Sequence, residues 1–187
     1  MSEFNAQTWV DRAWARHHKR TKGKAPAKKL LEAKKITTDL DAIKGIESVV
    51  GWCNFRRIRV TFTTKTTGVY DPMVREIRIN PKQTAEKQLY ILLHECGHLL
   101  IDDKSETTEL RFKNGYYVND ERVKKKFIYR CTVLEEEFEA WHRGRKLATK
   151  LGVKINDETF NTLKAKFLKS YMLWAVGDPQ YQQGGPT

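Results

Sequence analysis

Cysteine is scarce in this chain, and the cysteines form no pattern. Cys53, Cys96 and Cys131 are scattered through 187 residues. An odd, widely spaced set excludes a disulfide framework and is typical of a protein in a reducing compartment. We therefore expect a cytoplasmic protein, and we interpret Cys96 as a small buried side chain.

Long apolar runs are lacking as well. No stretch approaches the roughly 18 residues of a membrane-spanning helix. The first twenty residues include Asp11 and contain no apolar core of a signal peptide, so we expect neither a signal peptide nor a membrane span. There is no internal repeat, and 187 residues are typical of one domain with a substantial core.

Acidic residues are outnumbered, 23 against 35 lysines and arginines, for a formal charge of +12. The excess is concentrated between Arg16 and Lys35, where nine residues are basic and only Glu32 is acidic. Such a block is typical of a solvated arm or of a polyanion-binding patch. Contact with nucleic acid or an acidic partner is one interpretation. Solubility is the other, because no nucleic-acid-binding motif accompanies the charge.

What the chain does contain is a compact histidine motif, His94-Glu95-Cys96-Gly97-His98. Two histidines four positions apart lie on one face of an α-helix, so both imidazoles can reach one metal ion. Glu95 lies between them, where it can take a proton from a metal-bound water. About 0.01 chance matches to this pattern are expected in a chain of this composition. The motif therefore predicts a catalytic zinc site with Glu95 as general base, in preference to a core helix with two hydrogen-bonded histidines.

Apolar residues flank the motif on both sides, at 89–93 and at 99–101. A helix that is apolar on nearly all sides is a buried central helix. A zinc site whose ligands are protein side chains needs a helix of this kind.

A catalytic zinc usually has three protein ligands and one open position. The longer motif with a third histidine is excluded, because its positions are held here by Ile101 and Lys104. The only later histidine is His142. A carboxylate is the other option, and the segment 134–141 is dense with glutamates.

Helical geometry narrows the choice among these glutamates. At about 100° per residue, Glu136 and Glu139 point away from the apolar face, and we expect them on a solvated surface. Glu135 and Glu137 flank that face at nearly equal angles, so geometry leaves the two tied. The apolar face itself consists of Phe127, Cys131, Leu134, Phe138 and Trp141.

The pairing of His-Glu-x-Gly-His with a later Glu-x-x-Ala resembles the glutamate-ligand zincins, in particular the ImmA/IrrE-type peptidases, which are often bacterial or phage-encoded. The resemblance implies that Glu137, the first residue of Glu137-Phe138-Glu139-Ala140, is the third zinc ligand, with Glu135 as the alternative. It covers about residues 58 to 148 and includes a strand pair upstream of the active-site helix.

The chain departs from that family at one position. The family commonly has Asn or Asp directly after the Ala, where such a group can orient a metal-bound histidine. Here the position holds Trp141. The side chains that could replace the missing group are His142 and Asp102.

A peptidase of this type usually has a second donor to the oxyanion of the reaction. The candidates in this sequence are Tyr116, Tyr117, His142 and Arg143.

Local signals predict the remaining elements. We expect a helix within residues 3–20, a linker at 22–29, a short helix opened by a capping box at 38–41 and ending near Gly51, strands at 58–62, 69–70 and 75–80, a helix at 85–102 capped by Thr84, a hairpin at 110–118, a helix from Asn119 or Asp120 to Lys150, and a helix from Asn156 to Val176.

Together these elements predict an α+β, zincin-like fold, with a small three-stranded sheet packed on a central active-site helix among several further helices. We expect an N-terminal helix and basic arm at 1–36, a metallopeptidase domain at 37–176 and a flexible tail at 177–187. The expected function is hydrolysis of a protein or peptide substrate with Zn²⁺ bound by His94 and His98. The alternatives are a structural or virion-associated protein with a vestigial peptidase fold, and a nucleic-acid-associated protein that uses the arm at 16–35.

Overall fold

The structure, a computed structural model, describes residues 26–103 and 121–181, with the side chains of 39–103 and 122–181. The helix expected within residues 3–20 and the hairpin expected at 110–118 lie outside the described residues.

The described residues form five helices and one small mixed sheet, which confirms the predicted α+β class. The elements are α1 (Pro26–Phe55), β1 (Arg59–Phe62), β2 (Gly68–Asp71), β3 (Glu76–Ile79), α2 (Ala85–Asp102), α3 (Glu121–Lys124), α4 (Phe127–Lys150), α5 (Asp157–Ala175) and a final 3₁₀ turn (Pro179–Tyr181). No helix in the described part of the chain is both long and apolar enough to cross a membrane.

The sheet has the strand order β1-β3-β2, with β1 parallel and β2 antiparallel to the central strand β3. All three strands were predicted. Ile77 and Ile79 alternate with Arg78 along β3 and are fully buried, because they form the face that lies on the helices. Strand β2 is an edge strand, and it packs against α2.

Helix α2 is the centre of the fold, as its apolar flanks predicted. Twelve of its 18 residues are buried. Thr84 caps its first turn by accepting a hydrogen bond from the Lys87 N–H (3.3 Å), which is the predicted cap. One side of α2 packs on α1 and the sheet, and another side packs on α4. The motif residues therefore lie at the crossing of α2 and α4.

Small residues let α2 and α4 touch through their backbones. A Cβ atom added to Gly97 would lie 1.9 Å from the Ala140 carbonyl oxygen, and one added to Gly144 would lie 2.3 Å from the Leu93 carbonyl oxygen. No side chain larger than hydrogen fits at either place without moving a helix. This contact brings the acidic segment of α4 directly against the histidine motif.

The start predicted for the helix with the capping box at 38–41 is wrong. Helix α1 already includes Pro26 and continues without a break through the supposed capping box at Thr38 to Phe55. Proline is compatible with a first helical turn, and the Lys-, Leu- and Ala-rich run that follows consists of strong helix formers. The helix-forming propensity of this run therefore outweighed the cap signal at Thr38. The helix crosses residue 36, and the division between arm and domain stays a prediction.

The long helix expected from Asn119 or Asp120 to Lys150 is interrupted. The structure has the short helix α3, then Lys126 in an extended conformation (φ −73°, ψ 140°), and then α4 from Phe127. The final helix agrees better with its prediction. Asn156 caps α5 by accepting from the N–H groups of Glu158 and Thr159.

Candidate metal centre

Helix α2 presents His94 and His98 on the side that faces α4. The two imidazole rings lie 4.7 Å apart, edge to face, at an interplanar angle of 77°. Both side chains are largely excluded from solvent, at 5% and 14% exposure. A four-residue spacing on a helix produces this arrangement directly.

Helix α4 contributes Glu137 to the same place. Its Oε2 lies 3.2 Å from His94 Nε2, and its Oε1 lies 3.3 Å from His98 Nε2. One ligand atom from each of the three side chains falls within 4.8 Å of the others, so this buried group could hold a metal ion. Glu135, the alternative to Glu137, is exposed.

The charges at this centre stabilise one another. Burial alone would raise the pKa of Glu137, but His98 and His94 lower it below its usual range through their charge and their hydrogen bonds. Burial would likewise lower the pKa of His98, but Glu137, Glu136 and Glu95 raise it well above its usual value. Without a metal, these interactions therefore favour an ionised Glu137 beside a protonated His98. A divalent cation would replace that proton.

Glu95 lies beside this group, between α2 and the edge strand β2. Its side chain is buried, at 7% exposure, and burial raises its pKa, although the nearby His94 and His98 act in the opposite direction. The Tyr70 backbone N–H donates a hydrogen bond to its carboxylate. Gly68 allows the close approach, since a Cβ there would lie 3.0 Å from Glu95 Oε1. Glu95 is thus placed as a buried carboxylate next to the three potential ligands.

Sequence reasoning missed Glu136, and the prediction that it is solvated is wrong. Glu136 is 4% exposed, and its Oε1 lies 3.6 Å from His98 Nδ1. The predicted apolar face of α4 was wrong in part: Phe127 and Phe138 are 65% and 43% exposed, whereas Trp141 is buried. The backbone contact with α2 turns the side of α4 with small residues inward. The spacing of four from Glu136 to Ala140 to Gly144 was the available signal.

Trp141 takes the place of the expected Asn or Asp and makes a different contact. Its ring stacks on His94, with centroids 4.4 Å apart and planes at 23°. Phe160 and Phe167, both on α5, contact the indole ring edge to face. Among the described residues, neither His94 Nδ1 nor Trp141 Nε1 has a hydrogen-bond partner.

The two side chains proposed to replace the missing group do not do so. His142 is exposed. Asp102 instead accepts a hydrogen bond from the Tyr70 hydroxyl (3.1 Å). Arg143, a candidate for stabilising an oxyanion, donates to Glu139 (2.8 Å) and to the Leu100 carbonyl.

The remaining oxyanion candidates, Tyr116 and Tyr117, lie outside the described residues. No protein-family model matches the chain, and neither a curated protein nor a solved structure gives a match. Function is therefore inferred from the geometry of the site and from the sequence itself.

Proposed function

We propose that this protein is a zinc-dependent peptidase of the zincin type. The observation that supports it is the convergence of His94, His98 and Glu137 within 4.8 Å, with the buried Glu95 alongside. Two imidazoles and one carboxylate form a donor set that suits Zn²⁺ and leaves a fourth position for water or substrate. The family that we propose is that of the ImmA/IrrE-type peptidases, which the sequence motifs resemble.

Glu95 is the general base of the proposed reaction. A bound zinc would supply Lewis acidity, polarising the scissile carbonyl and lowering the pKa of a coordinated water toward about 7. Glu95 would take the proton from that water and pass it to the leaving amine. Its raised pKa supports this role, because a base works best when its pKa approaches the working pH. The Tyr70 N–H holds the carboxylate in place.

An extended peptide is the substrate that the surroundings favour. Strand β2 is one of the two edge strands of the sheet, and it lies next to Glu95. A peptide can add to such an edge through backbone hydrogen bonds, which would align its carbonyl groups past the metal centre.

The decisive experiment substitutes Glu95→Gln, which keeps the size of the side chain and removes the base. We expect the variant to fold and to keep its zinc. Its peptide hydrolysis should fall by roughly 10² to 10⁴, the usual contribution of a general base. Cleavage is measured by mass spectrometry on a proteome-derived peptide library, and zinc by elemental analysis.

Control variants separate the metal from the chemistry. His94→Ala, His98→Ala and Glu137→Ala should each lose zinc, whereas Glu135→Ala, at an exposed position on the same helix, should keep it. If the wild type binds zinc but cuts nothing, or if Glu95→Gln cuts as well as the wild type, the peptidase proposal fails. A structural or virion-associated protein with a vestigial site would then be the better explanation.

The basic block at 16–35 supports a second, separate proposal, which is binding to nucleic acid or an acidic partner. Nine basic residues within twenty predict an affinity that falls steeply with salt. Filter binding of the full-length protein to duplex DNA at 50 and 200 mM salt tests this. The matched control replaces the basic residues of the block with glutamine. Equal binding by that control, or no binding at low salt, would favour solubility as the role of the block.

A further inference from the structure

A second carboxylate lies directly beside the proposed metal centre. Glu136 precedes Glu137 on α4, and its side chain is 4% exposed. Burial of a carboxylate is costly unless a partner compensates for it. Within residues 39–103 and 122–181, the partner in reach is His98, whose Nδ1 lies 3.6 Å from Glu136 Oε1.

The two nitrogens of His98 face two different glutamates. Nε2 faces Glu137, at 3.3 Å, and is therefore the atom aimed at the proposed ion. Nδ1 faces Glu136 on the other side of the ring. An imidazole that binds a metal through Nε2 must carry its remaining proton on Nδ1. An acceptor at Nδ1 then fixes both the tautomer and the orientation of the ring.

We infer that Glu136 is a positioning residue that accepts a hydrogen bond from His98 Nδ1 and holds the ring in its metal-binding orientation. The inference rests on the metal site of the proposed function, though not on its peptidase activity. A separation of 3.6 Å exceeds a formed hydrogen bond by a few tenths of an ångström. Hydrogen bonds in unliganded sites are often long and tighten on loading.

His94 provides an internal contrast. In the part of the chain that the structure describes, no group accepts a hydrogen bond from its Nδ1. Its ring is held instead by the stack on Trp141, 4.4 Å away. The two histidines are thus supported by different means. Adjacent glutamates on one helix take two roles, with Glu137 as ligand and Glu136 as orienting group.

Three substitutions test this inference on the full-length protein. Glu136→Leu removes the acceptor, Glu136→Gln keeps an acceptor oxygen without the charge, and Glu135→Gln is the matched exposed control. Zinc affinity is measured by chelator competition, and the geometry of the site by the visible absorption of the Co²⁺-loaded protein. We expect Glu136→Leu to lose about 10- to 100-fold in affinity, as is usual for such a partner. Glu136→Gln should lose less, and Glu135→Gln should match the wild type.

The Co²⁺ spectrum distinguishes positioning from support of the fold. A positioning role predicts that zinc affinity falls and the Co²⁺ spectrum changes, whatever the effect on the metal-free melting temperature. A role in folding alone would lower the melting temperature and leave the Co²⁺ spectrum unchanged. Either that result, or equal zinc affinity in Glu136→Leu and the wild type, overturns the inference. If the wild type itself binds no zinc, the proposed metal site fails first.

Discussion

The backbone contact between Gly97 and helix α4 makes the sharpest prediction. Gly97→Ala would place a Cβ 1.9 Å from the Ala140 carbonyl oxygen, whereas ordinary contacts begin at 3.4 Å. The two helices would have to separate by about 1.5 Å, the difference between these distances. Metal–ligand distances tolerate only about 0.2 Å. The substitution should therefore disrupt the metal centre without changing any proposed ligand.

The magnitude has two parts. Overpacking of a core typically costs about 1–3 kcal/mol, which for a chain of this size corresponds to a melting temperature lower by about 2–12 °C. Zinc content should fall well below one equivalent, because Glu137 moves away from His94 and His98. Differential scanning calorimetry measures the first effect, and elemental analysis of the folded protein measures the second.

Gly51→Ala is the matched control. Gly51 lies in helix α1, is exposed, and has no neighbouring atom within 4 Å of an added Cβ. Alanine in place of a helical glycine should stabilise the fold by about 0.5–1 kcal/mol. Opposite signs for the two substitutions would support the backbone contact. If Gly97→Ala melts like the wild type and keeps its zinc, α2 and α4 are not in backbone contact and the reasoning is refuted.

Three further predictions concern pH, a buried hydroxyl and the thiols. Because the pKa of His98 is raised, the metal-free fold should lose stability as pH rises from about 6.5 through that raised value. Zinc should bind up to about tenfold more tightly per pH unit over the same range. A pH-independent affinity would contradict this. Tyr90→Phe should lower the free energy of unfolding in urea by about 1–3 kcal/mol, because the Tyr90 hydroxyl accepts a hydrogen bond from the Asn156 backbone N–H just before α5 (2.9 Å). Tyr181→Phe, at an exposed position, should leave that free energy unchanged. A thiol reagent should modify Cys131 first in the folded protein, because Cys96 is fully buried and burial raises the pKa of its thiol. Rapid labelling of all three thiols would contradict the described core.

Local signals were sufficient for much of the fold. Thr84 as a cap and the apolar residues around His94 predicted α2 correctly, because both signals act within one or two helical turns. Asn156 did the same for the start of α5. The three strands followed from short alternating runs. The four-residue spacing of His94 and His98 already placed two imidazoles on one face of a helix.

Tertiary contact decided which side of α4 faces that helix. The sequence suggested that Phe127 and Phe138 would turn inward, because hydrophobic residues usually do. They are exposed instead, since Ala140 and Gly144 let α4 lie directly on the backbone of α2. That contact buries Glu136 and Glu137 against the histidines, where their charges are compensated. The hydrophobic pattern of one helix carries no information about the surface of the helix that packs on it. Only the tertiary structure therefore showed where Glu136 and Glu137 lie.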